Sequence, residues 1–93
     1  MADSRQQKLA DLIVNYSIKV QPGESIFILG EPVSLPLIIE MSKAVVMAGG
    51  FPEPLVDIPE VGESILRYGS REQILAPSVF AQAMAEKADA CIY

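Results

Sequence analysis

The sequence predicts an α/β domain with three layers, α/β/α, around a short parallel sheet of about three strands. Three observations lead there. Short apolar runs alternate with longer segments whose apolar residues recur at helical spacing. Glycine and proline punctuate the joins between them. The first short run, Ser25-Ile26-Phe27-Ile28-Leu29, is apolar at successive positions, as in a strand buried on both faces, so helices have to cover both sides of the sheet.

The chain opens with a helix. Asp3 or Ser4 can cap it, and Ser4 with Gln7 fits a Ser-x-x-Gln capping box. Leu9, Leu12, Ile13 and Tyr16 form its predicted core face, with Lys8, Asp11, Asn15 and Lys19 elsewhere around it. Gln21-Pro22-Gly23-Glu24 makes the turn into the first strand. Glu31-Pro32 breaks that strand. A second helix then starts at Ser34, with Pro36 in its first turn, and runs to about Ala48 before Gly49-Gly50 stops it.

Leu55 to Ile58 is the second strand, and the prolines before it, Pro52 and Pro54, suit a strand start or a sheet edge. Glu60 to Tyr68 carries Val61, Ile65 and Tyr68 at helical spacing and ends at Gly69. Ser70 with Gln73 caps a further short helix. Pro77-Ser78 starts the last one, with Phe80, Met84 and Ala88 as its stripe and an end near Lys87. Ala88 to Tyr93 reads as a third buried strand, in which Cys91 is a small apolar side chain. Right-handed crossovers then put the first strand in the centre, a flavodoxin- or Rossmann-like order. A sheet of this type normally runs on into another covering helix, so residues 1–93 are expected to be one α/β domain and a fragment of a longer protein.

Composition narrows the function classes. Half of the residues are apolar (51%) and a fifth charged (20%), which describes a folded domain; a net charge of −5 gives no footprint for nucleic acid. The polar residues scattered through the first twenty positions argue against a signal peptide, and no apolar run approaches the roughly 20 residues that span a bilayer. No membrane partner and a cytoplasmic location are expected. Histidine is absent, which removes the commonest metal ligand and the usual neutral-pH proton shuttle.

Ligands of open parallel sheets bind beyond the carboxyl ends of the strands. That places a possible ligand or access loop at Gly30, Glu31 and Ser34, where a helix start offers N–H groups to an anion. Glu31 would repel a phosphate and no Walker lysine follows, so a structural turn and cap is the plainer reading. Glu31, Asp57, Glu60 and Glu63 form no recognised cation-binding loop and read as solvated acids. Arg67 and Arg71, with Tyr68 beside them, fit dipole compensation at helix ends. The second helix has two apolar stripes. Leu35, Ile38, Ile39, Val45 and Val46 suit the sheet; Leu37, Met41, Ala44 and Ala48 adjoin them and need a second cover. Either a neighbouring domain or subunit, or the first or last helix of the same domain, supplies it. Glu40, Lys43 and Met47 remain as an outward sector.

The segment KLADLIVNYSIKVQPGESIFILGEPVSLPLIIEMSKAVVMAGGFPEPLV resembles the start of the metal-dependent aminopeptidases of the aminopeptidase T, aminopeptidase S and aminopeptidase II type. The likeness rests on the order of a helix end at Ile13 to Ser17, a Pro-Gly-Glu turn at Pro22 to Glu24, the strand Ser25 to Leu29, a Leu-Pro-Leu helix start at Leu35 to Leu37 and an Ala-Gly-Gly stop at Ala48 to Gly50. LRYGSREQILAP and EKADACIY extend it over nearly the whole chain.

The resemblance implies a parent enzyme that removes N-terminal residues from peptides with two divalent ions, zinc or cobalt, which activate a bridging water. It implies that the ligands lie in a C-terminal domain, so no catalytic or metal residue is carried onto this chain and no cofactor is expected in it. The implied partners are that C-terminal domain, a second subunit in a homodimer, and peptide substrates of the parent. A related group, the dihydroxypyridine ring-cleaving dioxygenases with a mononuclear iron, looks similar over this region. A stand-alone binding module using Gly30 to Ser34 is the reading from a third class.

Overall fold

The computed structural model describes residues 4–93. Asp3, one of the two candidate caps of the first helix, lies outside them. Helix α1 (Ser4–Asp11) widens into a π-helical segment (Leu12–Ser17) and leads to strand β1 (Ser25–Gly30). A 3-10 turn (Pro32–Ser34) precedes α2 (Leu35–Met47), followed by β2 (Phe51–Val56), α3 (Pro59–Tyr68), α4 (Arg71–Leu75), α5 (Val79–Lys87) and β3 (Ala90–Ile92). The sheet is parallel in the order β2-β1-β3, with the first strand central as its apolar run requires.

Strand alternation sets the two faces of the sheet. Ile26 and Ile28 point to one side, where they meet α1 and α2 in a core of Ala10, Val14, Val20, Ile26, Ile28, Ile38, Met41, Val45 and Ile92. Phe27 points to the other, where Phe80 of α5 packs against it with ring centroids 5.4 Å apart and planes at 59°, a tilted aromatic pair. Coverage of this second face is thin. Phe51, Leu55 and Cys91 share it, through their pairing with β1, and stay exposed. Cys91 is therefore not packed in the core as expected; its neighbour Ile92 takes the inward position and turns the thiol the other way.

Helix α1 is rotated from the predicted face. Ala10 and Val14 are buried, whereas Leu9, Leu12 and Tyr16 are exposed and Ile13 only partly covered. The reason is the partner. α2 presents Ala44 and Ala48 to it, and small residues on both sides let the two helices approach closely, leaving the larger side chains at the flank. The helix ends at Ser17, before the predicted turn. The Ile18 N–H reaches the Ile13 carbonyl at 2.9 Å, a five-residue span that widens the final turns. Lys19 then adopts a left-handed conformation (φ 59°) ahead of the Gly23 turn (φ 85°).

α2 is rotated as well. Ile38, Met41 and Val45 are buried, with Leu37, Ala44 and Ala48 packed partly against the core, while Leu35, Ile39 and Val46 face out. Of the two covers left open for the second stripe, the structure shows the intramolecular one, α1. The helix closes in a Schellman motif: Gly49 (φ 88°) donates to Val46 and Gly50 to Val45, at 3.0 and 2.9 Å.

β2 begins four residues earlier than predicted, at Phe51, and ends at Val56 rather than Ile58. Pro52 and Pro54 are tolerated because β2 is an edge strand. Ile58 is still extended (φ −116°, ψ 104°), and Pro59 after it occupies the first turn of α3. α3 carries the predicted stripe of Val61, Ile65 and Tyr68, yet all three are exposed, because α3 and α4 stand off the sheet. The radius of gyration, 15.2 Å, reflects this projection; a globule of this length has about 12 Å.

Candidate functional site

The loop after β1 is built as a turn and as a seat for α2. Glu31 is extended (φ −95°, ψ 166°), and the Ser34 N–H donates to the Glu31 carbonyl at 2.9 Å, closing the 3-10 turn that Pro32 opens. Ser34 precedes α2, but its side chain makes no capping hydrogen bond; Pro36 in the first turn needs none. Gly30 is a packing position. A Cβ there would come within 2.8 Å of Ile38 Cδ1 and 3.5 Å of Ser34 Cβ, and the Gly30 carbonyl accepts from the Asp57 N–H at 2.7 Å. Gly30, Glu31 and Ser34 thus lie together at the carboxyl end of the sheet as predicted, with the Ser34 N–H already used within the turn.

Glu31, Asp57, Glu60 and Glu63 are exposed, and among the described residues no three histidine, cysteine, aspartate or glutamate side chains converge as metal ligands would. The described residues therefore do not fit a two-metal centre. Glu60, Glu63, Ser64, Arg67 and Tyr68 border a small groove of about 190 Å³ on α3. Arg71 belongs to α4, whose start carries the predicted capping box: the Ser70 hydroxyl accepts from the Gln73 N–H at 3.2 Å and the Gln73 Oε1 from the Ser70 N–H at 2.9 Å.

Two larger grooves lie away from the strand ends. One, about 500 Å³, runs between α1 and α2. Glu40 lies on its wall, 7% exposed, with Lys43 Nζ at 3.1 Å from Glu40 Oε1; Asn15 donates to Asp11 Oδ1 at 2.6 Å across the groove's other wall. Sequence periodicity placed Glu40 outward. It is one turn before Ala44 on the flank that α1 covers, and that spacing was the available signal. The other groove, about 560 Å³, is floored by Val61, Ile65 and Tyr68 of α3 and bounded by Gln73 and Ala76. Phe51 and Leu55 are exposed on the sheet face that Phe80 of α5 partly covers.

Residues 2–93 match the family described as thermophilic metalloprotease (M29). No curated protein matches the sequence significantly. Among solved structures the fold is similar to wild-type AmpT from Thermus thermophilus, with a TM-score of 0.73 at 15% identity, over 89% of this chain and 21% of that chain. The present chain thus spans about a fifth of the length of the solved structure it resembles.

Proposed function

Because this chain belongs to the thermophilic metalloprotease family (M29), we propose that it is the non-catalytic N-terminal α/β domain of a metal-dependent aminopeptidase. The match over residues 2–93 carries the reading. The dispersal of the carboxylates among the described residues supports it, since hydrolysis by two metals needs converging ligands. In this reading the parent removes N-terminal residues from peptides in the cytoplasm. Its two divalent ions, zinc or cobalt, are held by a C-terminal domain outside these 93 residues.

The role of the domain follows from the surface it leaves uncovered. Val61, Ile65 and Tyr68 on α3, and Phe51 and Leu55 on the sheet, are exposed apolar side chains of the kind that another domain buries. The C-terminal domain of the parent docks there, and the strand-end loop Gly30 to Ser34 borders the route to its site. The parent is a homodimer. Expression of the longer reading frame tests the assignment: leucine-p-nitroanilide hydrolysis, abolished by a chelator and restored by zinc or cobalt, is the expected result. A parent with no metal-dependent peptidase activity on any N-terminal residue would reject it.

A further inference from the structure

The two edges of the sheet offer different things to a further strand. Along a strand, residues whose N–H and C=O turn toward one neighbour alternate with residues whose groups turn the other way. On β2, the Phe51 and Asp57 N–H groups reach the Glu24 and Gly30 carbonyls, each at 2.7 Å. Positions 51, 53, 55 and 57 therefore face β1, and positions 52, 54 and 56 face out. Two of those three are Pro52 and Pro54, which have no N–H to give. Only Val56 can donate from that edge.

On β3 the alternation gives the opposite result. The Asp89 N–H reaches the Ser25 carbonyl at 2.9 Å, so Cys91 turns toward β1 with it, while Ala90 and Ile92 turn their N–H and C=O groups outward. Neither is proline. Ile92 is 9% exposed and Ala90 packs on the core, so the side chains at this edge already lie on the covered face. One edge is closed chemically and the other is ready to pair.

We propose that the sheet is extended at β3, and not at β2, by a strand of the parent polypeptide. This rests on the reading of the chain as part of a longer peptidase. A solved chain with the same fold, several times longer, shows that such a fold occurs within a larger chain. A strand from a second copy is the weaker fit. Three residues present few hydrogen bonds, which would have to meet the translational and rotational cost of joining two molecules, whereas a strand of the same chain is tethered and escapes most of it.

Amide hydrogen exchange tests the edge assignment on the 93-residue chain and on the longer parent. The expected result is that the Ala90 and Ile92 amides exchange about a hundredfold or more slowly in the parent than in the short chain, while Val56 exchanges alike in both. Equal rates at Ala90 and Ile92 would overturn the proposal, and so would protection appearing at Val56 instead. Concentration-dependent protection of Ala90 and Ile92 in the short chain would name a second copy as the occupant and reject the parent strand, as would a reading frame that stops at Tyr93. A parent that hydrolyses peptides yet leaves Ala90 unprotected would sink this inference alone; an inactive parent with both amides protected would sink only the peptidase reading.

Discussion

The Asp89 carboxylate accepts a hydrogen bond from the Ser25 N–H at 2.7 Å, and the Ser25 carbonyl accepts one from the Asp89 N–H at 2.9 Å. This reciprocal pair joins positions 64 residues apart and sets the register of β3 against the central strand. Because β3 is only three residues long, a large part of its attachment depends on this contact. Asp89→Ala should lower stability by about 1 kcal/mol, and Asp89→Asn, which keeps an acceptor, by less. Urea unfolding midpoints decide it. Equal midpoints for all three proteins would show that the clamp contributes nothing.

The rotated face of α2 makes two methionines opposites. Met41 is 4% exposed and Met47 87% exposed. Met41→Glu buries an unpaired carboxylate and should cost about 3 kcal/mol or more, whereas Met47→Glu should change stability by less than about 0.5 kcal/mol. Thermal unfolding by circular dichroism of both variants checks the difference.

Backbone conformation gives a pair of opposite sign. Lys19 is a non-glycine residue held at φ 59°, so Lys19→Gly should stabilise the chain by about 0.5–1 kcal/mol. Gly49 sits at φ 88°, and a Cβ there would meet Pro22 at 3.2 Å, so Gly49→Ala should destabilise by about 1–2 kcal/mol. Chemical denaturation of the two variants reads both signs in one experiment.

The uncovered α3 stripe predicts a context effect. Ile65→Ser should leave the stability of the 93-residue chain within about 0.5 kcal/mol of the wild type, because Ile65 packs on no core there. In the longer parent the same substitution should cost about 2 kcal/mol, as expected for a buried aliphatic side chain. Equal effects in the two proteins would argue that the C-terminal domain docks elsewhere.

Local chemistry was legible in the sequence where one element decides its own fate. The apolar run Ser25 to Leu29 announced a central strand, Gly49-Gly50 a helix stop, and Ser70 with Gln73 a capping box, and each is in place. What escaped depended on the neighbour. The burial of Ala10 and Val14 instead of Leu9 and Tyr16 follows from the small residues of α2, which periodicity in α1 alone does not contain. β2 hid behind Pro52 and Pro54, whose tolerance depends on which side of the ladder each N–H would have faced. At the strand-end loop Gly30, Glu31 and Ser34 stand at the end of β1 and before α2, as the order of elements implies; that the Ser34 N–H is used by Glu31 required the turn geometry. Glu40 was assigned to solvent because the cover of its flank by α1 is tertiary.

The proposed role has these 93 residues serve a peptidase without performing the hydrolysis. The most direct measurement is leucine-p-nitroanilide hydrolysis by the purified chain with added cobalt or zinc, followed across a sizing column so that contaminating peptidases separate from it. Turnover in the fractions that contain the chain should not rise above that of buffer. Metal-dependent hydrolysis that co-elutes with the chain and disappears with its unfolding would contradict it.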